Sequence, residues 1–193
     1  MSARRRAVLA VGSNLGDRLG TLQECVTAIA RLPDTDVLAI SPVYETDPVG
    51  GPAQPDYLNA VLVIQTGLRP GELLDAAHRI EAASGRVRAE RFGPRTLDID
   101  IISYAGEVSD DPLLTLPHPR AHERAFVLAP WHDVDAHAEL PGRGPVSDLL
   151  AGLEGRGVRR VPGALLCWPP GGDLPGSPRS REGYPPPHTP PTP

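Results

Sequence analysis

Not one of the 193 residues is lysine; all 19 Lys and Arg positions are arginine. A P-loop needs its lysine on the β- and γ-phosphates, so the commonest nucleotide cradle is excluded. Cysteine is scarce. Cys25 and Cys167 lie far apart, which leaves neither a metal quartet nor a disulfide framework and points to a reducing cytoplasm. No apolar run approaches the roughly 20 residues of a membrane span, and Asn14 and Asp17 cut short the apolar run that follows the basic start "MSARRR". Basic excess is also missing: the formal net charge is -5, the opposite of what a phosphate-backbone surface requires, so small-molecule partners are expected and nucleic acid is not. Aromatics make up only 4%.

Proline is abundant, and unevenly placed. Nearly half of the 24 prolines lie at or after Pro162, where "GYPPPHTPPTP" has no helical or strand period. A folded domain over residues 1–161 and a disordered proline-rich tail over 162–193 are expected. A proline-rich recognition segment is an alternative reading of "PPPHTPP".

"RAVLAVGSN" reads as a strand entering a turn, and Leu15, Leu19, Leu22, Val26 and Ile29 as one face of a helix that Pro33 stops. "DVLAISPVYET" is a strand placed at an edge by Pro42. The loop "DPVGGPAQPD" leads into "YLNAVLVIQT", where period two puts Tyr57, Asn59, Val61 and Val63 on one face. "RPGELLDAAHRIEAASG" is a helix with Pro70 at its start and Gly85 at its end. An arginine-rich loop then enters the strand "TLDIDIISY". "PHPRAHERAFVLAPWHDV" is a loop continuing as a helix, "PVSDLLAGL" a short helix and "GVRRV" a last strand. This order predicts an α+β, ferredoxin-like βαββαβ core: an antiparallel sheet with helices packed on one face.

The chemistry concentrates in "RFGPRTLDIDII". Alternation sends Leu97, Ile99 and Ile101 to the apolar face and Asp98 and Asp100 together to the other. Two adjacent carboxylates repel unless protons or cations offset them, and rigid hard oxygens suit Mg²⁺, which completes its shell with water and phosphate. Arg86, Arg88, Arg91 and Arg95 feed this strand, and guanidinium forks match phosphate oxygens. From these residues alone a solvated acidic strand beside a surface charge cluster stays open.

The segments "VGSNLGDR", "YETDPVGGPAQPDYLNAV", "RIEAASGRVRAERFGPRTLDIDII" and "LPHPRAHERAFVL" together resemble the 6-hydroxymethyl-7,8-dihydropterin pyrophosphokinase family of folate biosynthesis, over about Ala7 to Pro130. The resemblance implies transfer of the terminal diphosphate of ATP to the pterin hydroxymethyl group, leaving AMP. It implies two Mg²⁺ ions on Asp98 and Asp100, with Arg86 and Arg95 stabilising charge during transfer. Arg88 and Arg91 would order the loop and grip ATP, joined by Glu81, His118 and Arg124. Tyr57 and Phe126 would sandwich the pterin, Asn59 would read its amide-like edge, and the backbone at Thr46, Pro48 and Val49 would close the slot. A cytoplasmic monomer is expected. Phe92 stands where the family commonly has tryptophan, and Pro119 where some relatives have tyrosine. His78, His122, His132, His137 and His188 read as solvated. Two other functions remain open on the residues: another Mg²⁺-dependent phosphoryl or nucleotidyl transferase, and a non-catalytic ligand-binding module.

Overall fold

The computed structural model describes residues 4–48, 53–85, 95–153 and 157–168. The chain runs β1 (Arg5–Ser13), α1 (Arg18–Ala30), β2 (Thr35–Ile40), β3 (Tyr44–Thr46), β4 (Tyr57–Thr66), α2 (Pro70–Ala83), β5 (Asp98–Tyr104) and a small hairpin of β6 (Ser109–Asp111) and β7 (Leu114–Leu116). A 3-10 turn (Ala121–Glu123) leads into α3 (Ala125–Val134); β8 (Glu139–Leu140), β9 (Gly144–Pro145), α4 (Val146–Ala151) and β10 (Val158–Arg160) follow.

The main sheet has the order β10-β3-β4-β1-β5, with β2 also paired to β4, and every pairing in it is antiparallel. Without β10 this is the ferredoxin-like arrangement expected from the element order. α1 starts at Arg18 because the Asp17 carboxylate accepts the Gly20 N–H at 3.0 Å, capping an otherwise unsatisfied donor. Leu22, Cys25, Val26 and Ile29 are its buried face. Leu15 and Leu19, expected on that face, precede or open the helix and are 36% exposed. α2 starts at Pro70 as expected, and Glu72 accepts the Arg69 N–H at 2.7 Å.

Helices α1 and α2 cover one side of the sheet, burying Leu9, Val11, Leu62, Ile64, Ile99 and Ile101. On the second side, which the sequence reading left bare, α3 brings Val127, Leu128 and Trp131 against Val8, Ala10, Val61 and Ile102. Ile102 follows the alternation onto this second side, and the register shift between Val8 and Leu9 returns Tyr104, two residues on, to the side of α1 and α2. α3 covers only part of its side. The uncovered end holds the site.

The segment "DVLAISPVYET" is two strands. Ser41 meets both backbone groups of Val61, its N–H donating to Val61 O (2.9 Å) and its Oγ accepting the Val61 N–H (2.8 Å); Pro42 then has no N–H to continue the ladder, which resumes at Tyr44. The edge position expected from Pro42 holds for β2, whose register shifts between Val37 and Ala39. It fails for β3, which β10 covers from the outside.

Packing also outlasts the boundary expected at residue 161. Leu166 and Ala164 are buried in the α1 side of the core, and the Gln23 side chain brackets Cys167 with two hydrogen bonds, Nε2 to Cys167 O (2.9 Å) and Cys167 N to Oε1 (3.0 Å). The folded unit therefore continues to Trp168; the expected disorder beyond it falls outside the described residues. Among the described residues no helix is long and apolar enough to cross a membrane.

Candidate active site

At the end of the sheet that α3 leaves open lies a cavity of about 680 Å³. Its floor follows from register. Gly12 of β1 pairs with Asn59 of β4 on one side and Asp98 of β5 on the other, so three strands present an amide, a bare backbone and a carboxylate in a row. Neighbouring strands lie about 4.8 Å apart, which sets the amide and the carboxylate roughly 10 Å from one another across the glycine. The glycine is needed: a Cβ at Gly12 would come within 2.9 Å of Asn59 Oδ1.

Asp98 and Asp100 project from the same face of β5 into the cavity, as period two requires. Each carries an arginine partner. Arg95 Nη1 is 2.5 Å from Asp98 Oδ2, and Arg124 Nη1 is 2.7 Å from Asp100 Oδ2. Burial works against the charge on Arg95, but the attraction of Asp98 and its hydrogen bond prevail and hold the guanidinium above its ordinary range. Arg124 also lies over Phe126, with Cζ 5.6 Å from the ring centroid. Tyr57 and Phe126 line the same cavity as Asn59 and Thr46. Asn59 Nδ2 donates to Thr46 Oγ1 at 2.8 Å, which fixes the orientation of the amide.

Asn14, fully buried in the turn after β1, ties the two halves together. Its N–H donates to Arg95 O (3.1 Å) and its Oδ1 accepts the Arg95 N–H (2.8 Å). Its Nδ2 reaches the other way, to Gln54 Oε1 (2.9 Å) and Pro55 O (3.0 Å). Gln54 Oε1 in turn accepts the Tyr57 hydroxyl proton at 3.2 Å.

The structure thus brings together Arg95, Asp98, Asp100, Arg124, Thr46, Tyr57, Asn59 and Phe126. Pro48 is half-buried outside the cavity lining. Arg86, Arg88, Arg91 and Val49 lie outside the described residues.

Two residues expected at the nucleotide stand outside the described lining of the cavity. Glu81, 3% exposed, does not line the cavity; its Oε1 accepts the Ile99 N–H at 2.9 Å, satisfying a backbone donor of β5, the edge strand, from α2. His118 also stands outside the lining, with Nε2 3.8 Å from Asp100 Oδ2. Burial lowers its pKa, with Asp100 opposing and Arg124 and Arg120 adding to the effect, so the ring is neutral at pH 7.

Sequence reasoning missed Arg120, His122 and Glu123, which line the cavity from the 3-10 turn. His122 was read as a solvated residue, yet its side chain is only 22% exposed and its Nε2 is 3.5 Å from Glu123 Oε1. Only the neighbourhood of Arg124 and Phe126 in "HERAF" signalled it.

The donor set suits a hard divalent cation: two carboxylates two residues apart on one stiff strand, with arginine now offsetting their charge. No grouping of three or more His, Cys, Asp or Glu side chains fit to hold a metal occurs among the described residues. An ion here would complete its shell with water and phosphate oxygens, which is the habit of Mg²⁺.

The profile of the family described as 7,8-dihydro-6-hydroxymethylpterin-pyrophosphokinase (HPPK) matches residues 8–136. A Pseudomonas aeruginosa protein named 2-amino-4-hydroxy-6-hydroxymethyldihydropteridine pyrophosphokinase is 42% identical over 160 residues, covering 83% of this chain and 99% of that protein. A Mycobacterium tuberculosis protein of the same name is 46% identical over 162 residues, covering 77% of this chain and 84% of its own length. Among solved structures, a Plasmodium falciparum HPPK-DHPS triple mutant with pteroate superposes with a TM-score of 0.61 at 14% identity, over 77% of this chain. That match shows the fold alone, and this chain spans 43% of that longer protein. The profile match and these relatives show that the chain belongs to the 7,8-dihydro-6-hydroxymethylpterin-pyrophosphokinase family.

Proposed function

We propose that the protein catalyses transfer of diphosphate from ATP to 6-hydroxymethyl-7,8-dihydropterin in folate biosynthesis, releasing AMP and the pterin diphosphate, with its cavity as the site of that reaction. Family membership carries the activity. The observation that carries the site is the row Asn59–Gly12–Asp98, which sets a ring-reading amide beside a metal-binding carboxylate.

The pterin hydroxymethyl oxygen attacks the β-phosphorus of ATP. The bond from that phosphorus to the α,β-bridging oxygen breaks, its electrons leave with AMP, and the hydroxyl proton passes to solvent. Such a reaction needs positioning and charge stabilisation more than a protein nucleophile. Tyr57 and Phe126 take the two faces of the pterin, and Asn59, held by Thr46, donates to and accepts from its polar edge. The backbone near Thr46, Pro48 and Val49 closes the slot.

Asp98 and Asp100 hold two Mg²⁺ ions, which supply charge neutralisation to the ATP phosphates. Arg95 and Arg124, at the two carboxylates, are the described cations nearest to where the phosphates lie in this reading. Arg86 joins Arg95 in stabilising charge during transfer, and Arg88 and Arg91 grip ATP. His118 and Glu81 serve the nucleotide indirectly, behind Asp100 and through the β5 backbone. The free thiols of Cys25 and Cys167 support a reducing, cytoplasmic compartment, and we infer a monomer.

Incubation with Mg²⁺, ATP and the reduced hydroxymethyl pterin, with nucleotides resolved by chromatography, tests the reading. AMP formed in step with a diphosphorylated pterin is the expected result. ADP, or no product from folded protein supplied with metal, overturns it.

A further inference from the structure

β10 lies outside the βαββαβ core, yet it carries adjacent arginines, Arg159 and Arg160. In register, Arg159 faces Glu45 of β3. Its guanidinium reaches past that partner, whose Oε2 is 3.9 Å from Nη2, to two other carboxylates: Nη1 is 3.1 Å from Asp47 Oδ1 and Nη2 is 3.1 Å from Asp56 Oδ2.

The two targets occupy equivalent places. Asp47 is the first residue after β3, Asp56 the last before β4, and their neighbours Thr46 and Tyr57 are cross-strand partners. Thr46, Asp47 and Tyr57 all line the cavity. Asp47 and Asp56, brought to one point without a cation, would repel and spread the ends of this ladder. The forked guanidinium instead offers each carboxylate its own nitrogen. From the other side Arg18 Nη1 reaches Glu45 Oε1 (3.1 Å) and Asp56 O (2.8 Å).

Room is also made for the clasp. Gly157, just before β10, has φ +54°, and a Cβ there would stand 2.9 Å from Asp47 Oδ2. The hydrogen bond and charge of Asp47, followed by Asp56 and Glu45, hold the Arg159 guanidinium above its ordinary range although the side chain is half exposed.

We propose that Arg159 is a positioning residue for the pterin slot: by holding Asp47 and Asp56 together it fixes Thr46 and Tyr57 in place as one wall of the slot. This rests on the assignment of the pterin to Tyr57, Asn59 and Phe126. Exposed ion pairs contribute little to global stability, so the clasp acts on geometry, where small displacements of binding groups weaken substrate contacts.

The test is steady-state kinetics with each substrate varied in turn, on wild type, Arg159→Ala, Arg159→Lys and Tyr57→Ala, with Tm for each. Arg159→Ala is expected to raise the pterin KM about threefold to tenfold, with ATP KM and Tm unchanged. Lysine, a point charge without the fork, restores part of the loss. Added NaCl raises the wild-type pterin KM toward that of the Arg159→Ala protein, whose own value stays flat.

A wild-type pterin KM in Arg159→Ala, alongside a raised one in Tyr57→Ala, overturns the clasp and leaves the slot standing. Equal rises in both KM values with a lower Tm reduce Arg159 to a structural residue and also overturn it. An unchanged pterin KM in Tyr57→Ala removes the slot assignment, and the clasp with it.

Discussion

Asn14 and Arg95, 81 residues apart in sequence, exchange two hydrogen bonds: the Asn14 N–H donates to Arg95 O, and the Arg95 N–H donates to Asn14 Oδ1. The Arg95 side of the cavity is thereby pinned to the turn after β1. Asn14 Nδ2 holds Gln54 and Pro55, so the same side chain also braces the Tyr57 side. Replacing Asn14 with alanine leaves the Arg95 N–H without its acceptor, at about 1–3 kcal/mol. We expect a lower Tm and, in the fraction that stays folded, higher KM values for both substrates; thermal melts and kinetics on the same preparation check this.

The paired aspartates make a different prediction. Asp98→Ala and Asp100→Ala each remove a half-exposed carboxylate from an open cavity, so the fold should survive, by circular dichroism and Tm. Turnover should fall by roughly a hundredfold or more, since each loses a ligand of the proposed metal site. Loss of folding in both variants would make the pair structural.

Gly12→Ala tests the floor of the site. The new methyl group meets Asn59 Oδ1, and overpacking of this kind costs on the order of 1–3 kcal/mol. Because the amide must move from its bond with Thr46, the pterin KM should rise more than the ATP KM.

Truncation locates the true end of the folded unit. A chain ending at Trp168 should match the full chain in activity and Tm. A chain ending at Val161 loses buried Leu166 and Ala164 and should be less stable by roughly 2–3 kcal/mol, the scale of one large apolar side chain returned to water. Equal Tm values would restore the earlier boundary.

Period-two alternation was enough to place Asp98 and Asp100 on one face, and Tyr57 with Asn59 on another strand of the same side, because strand geometry admits no other arrangement over so few residues. The split at Ser41–Val43 was half legible: Pro42 announced a lost donor, but not that the chain would resume pairing and accept β10 outside it. Tyr104 defeated the alternation, because a register shift just before it reset the faces. Glu81 read as a charge near an arginine loop; only the folded structure reveals it as an acceptor for Ile99. Residues 162–168 carry no period at all, and they dock through contacts distant in sequence: Leu166 in the core and two bonds from Gln23.

The edges of the sheet are treated unequally. β5 has its Ile99 donor taken by Glu81, and β3 is covered by β10, so among the described residues β2 is the long edge left to water. An open row of donors and acceptors is a template on which further copies of a chain can stack. Here the row is interrupted at Leu38 by the shifted register, and it bears Asp36, whose carboxylate is bonded to Arg4 at 2.7 Å. The irregularity in β2 thus acts as insurance against aggregation, and a variant that straightened this strand would endanger solubility before it touched catalysis.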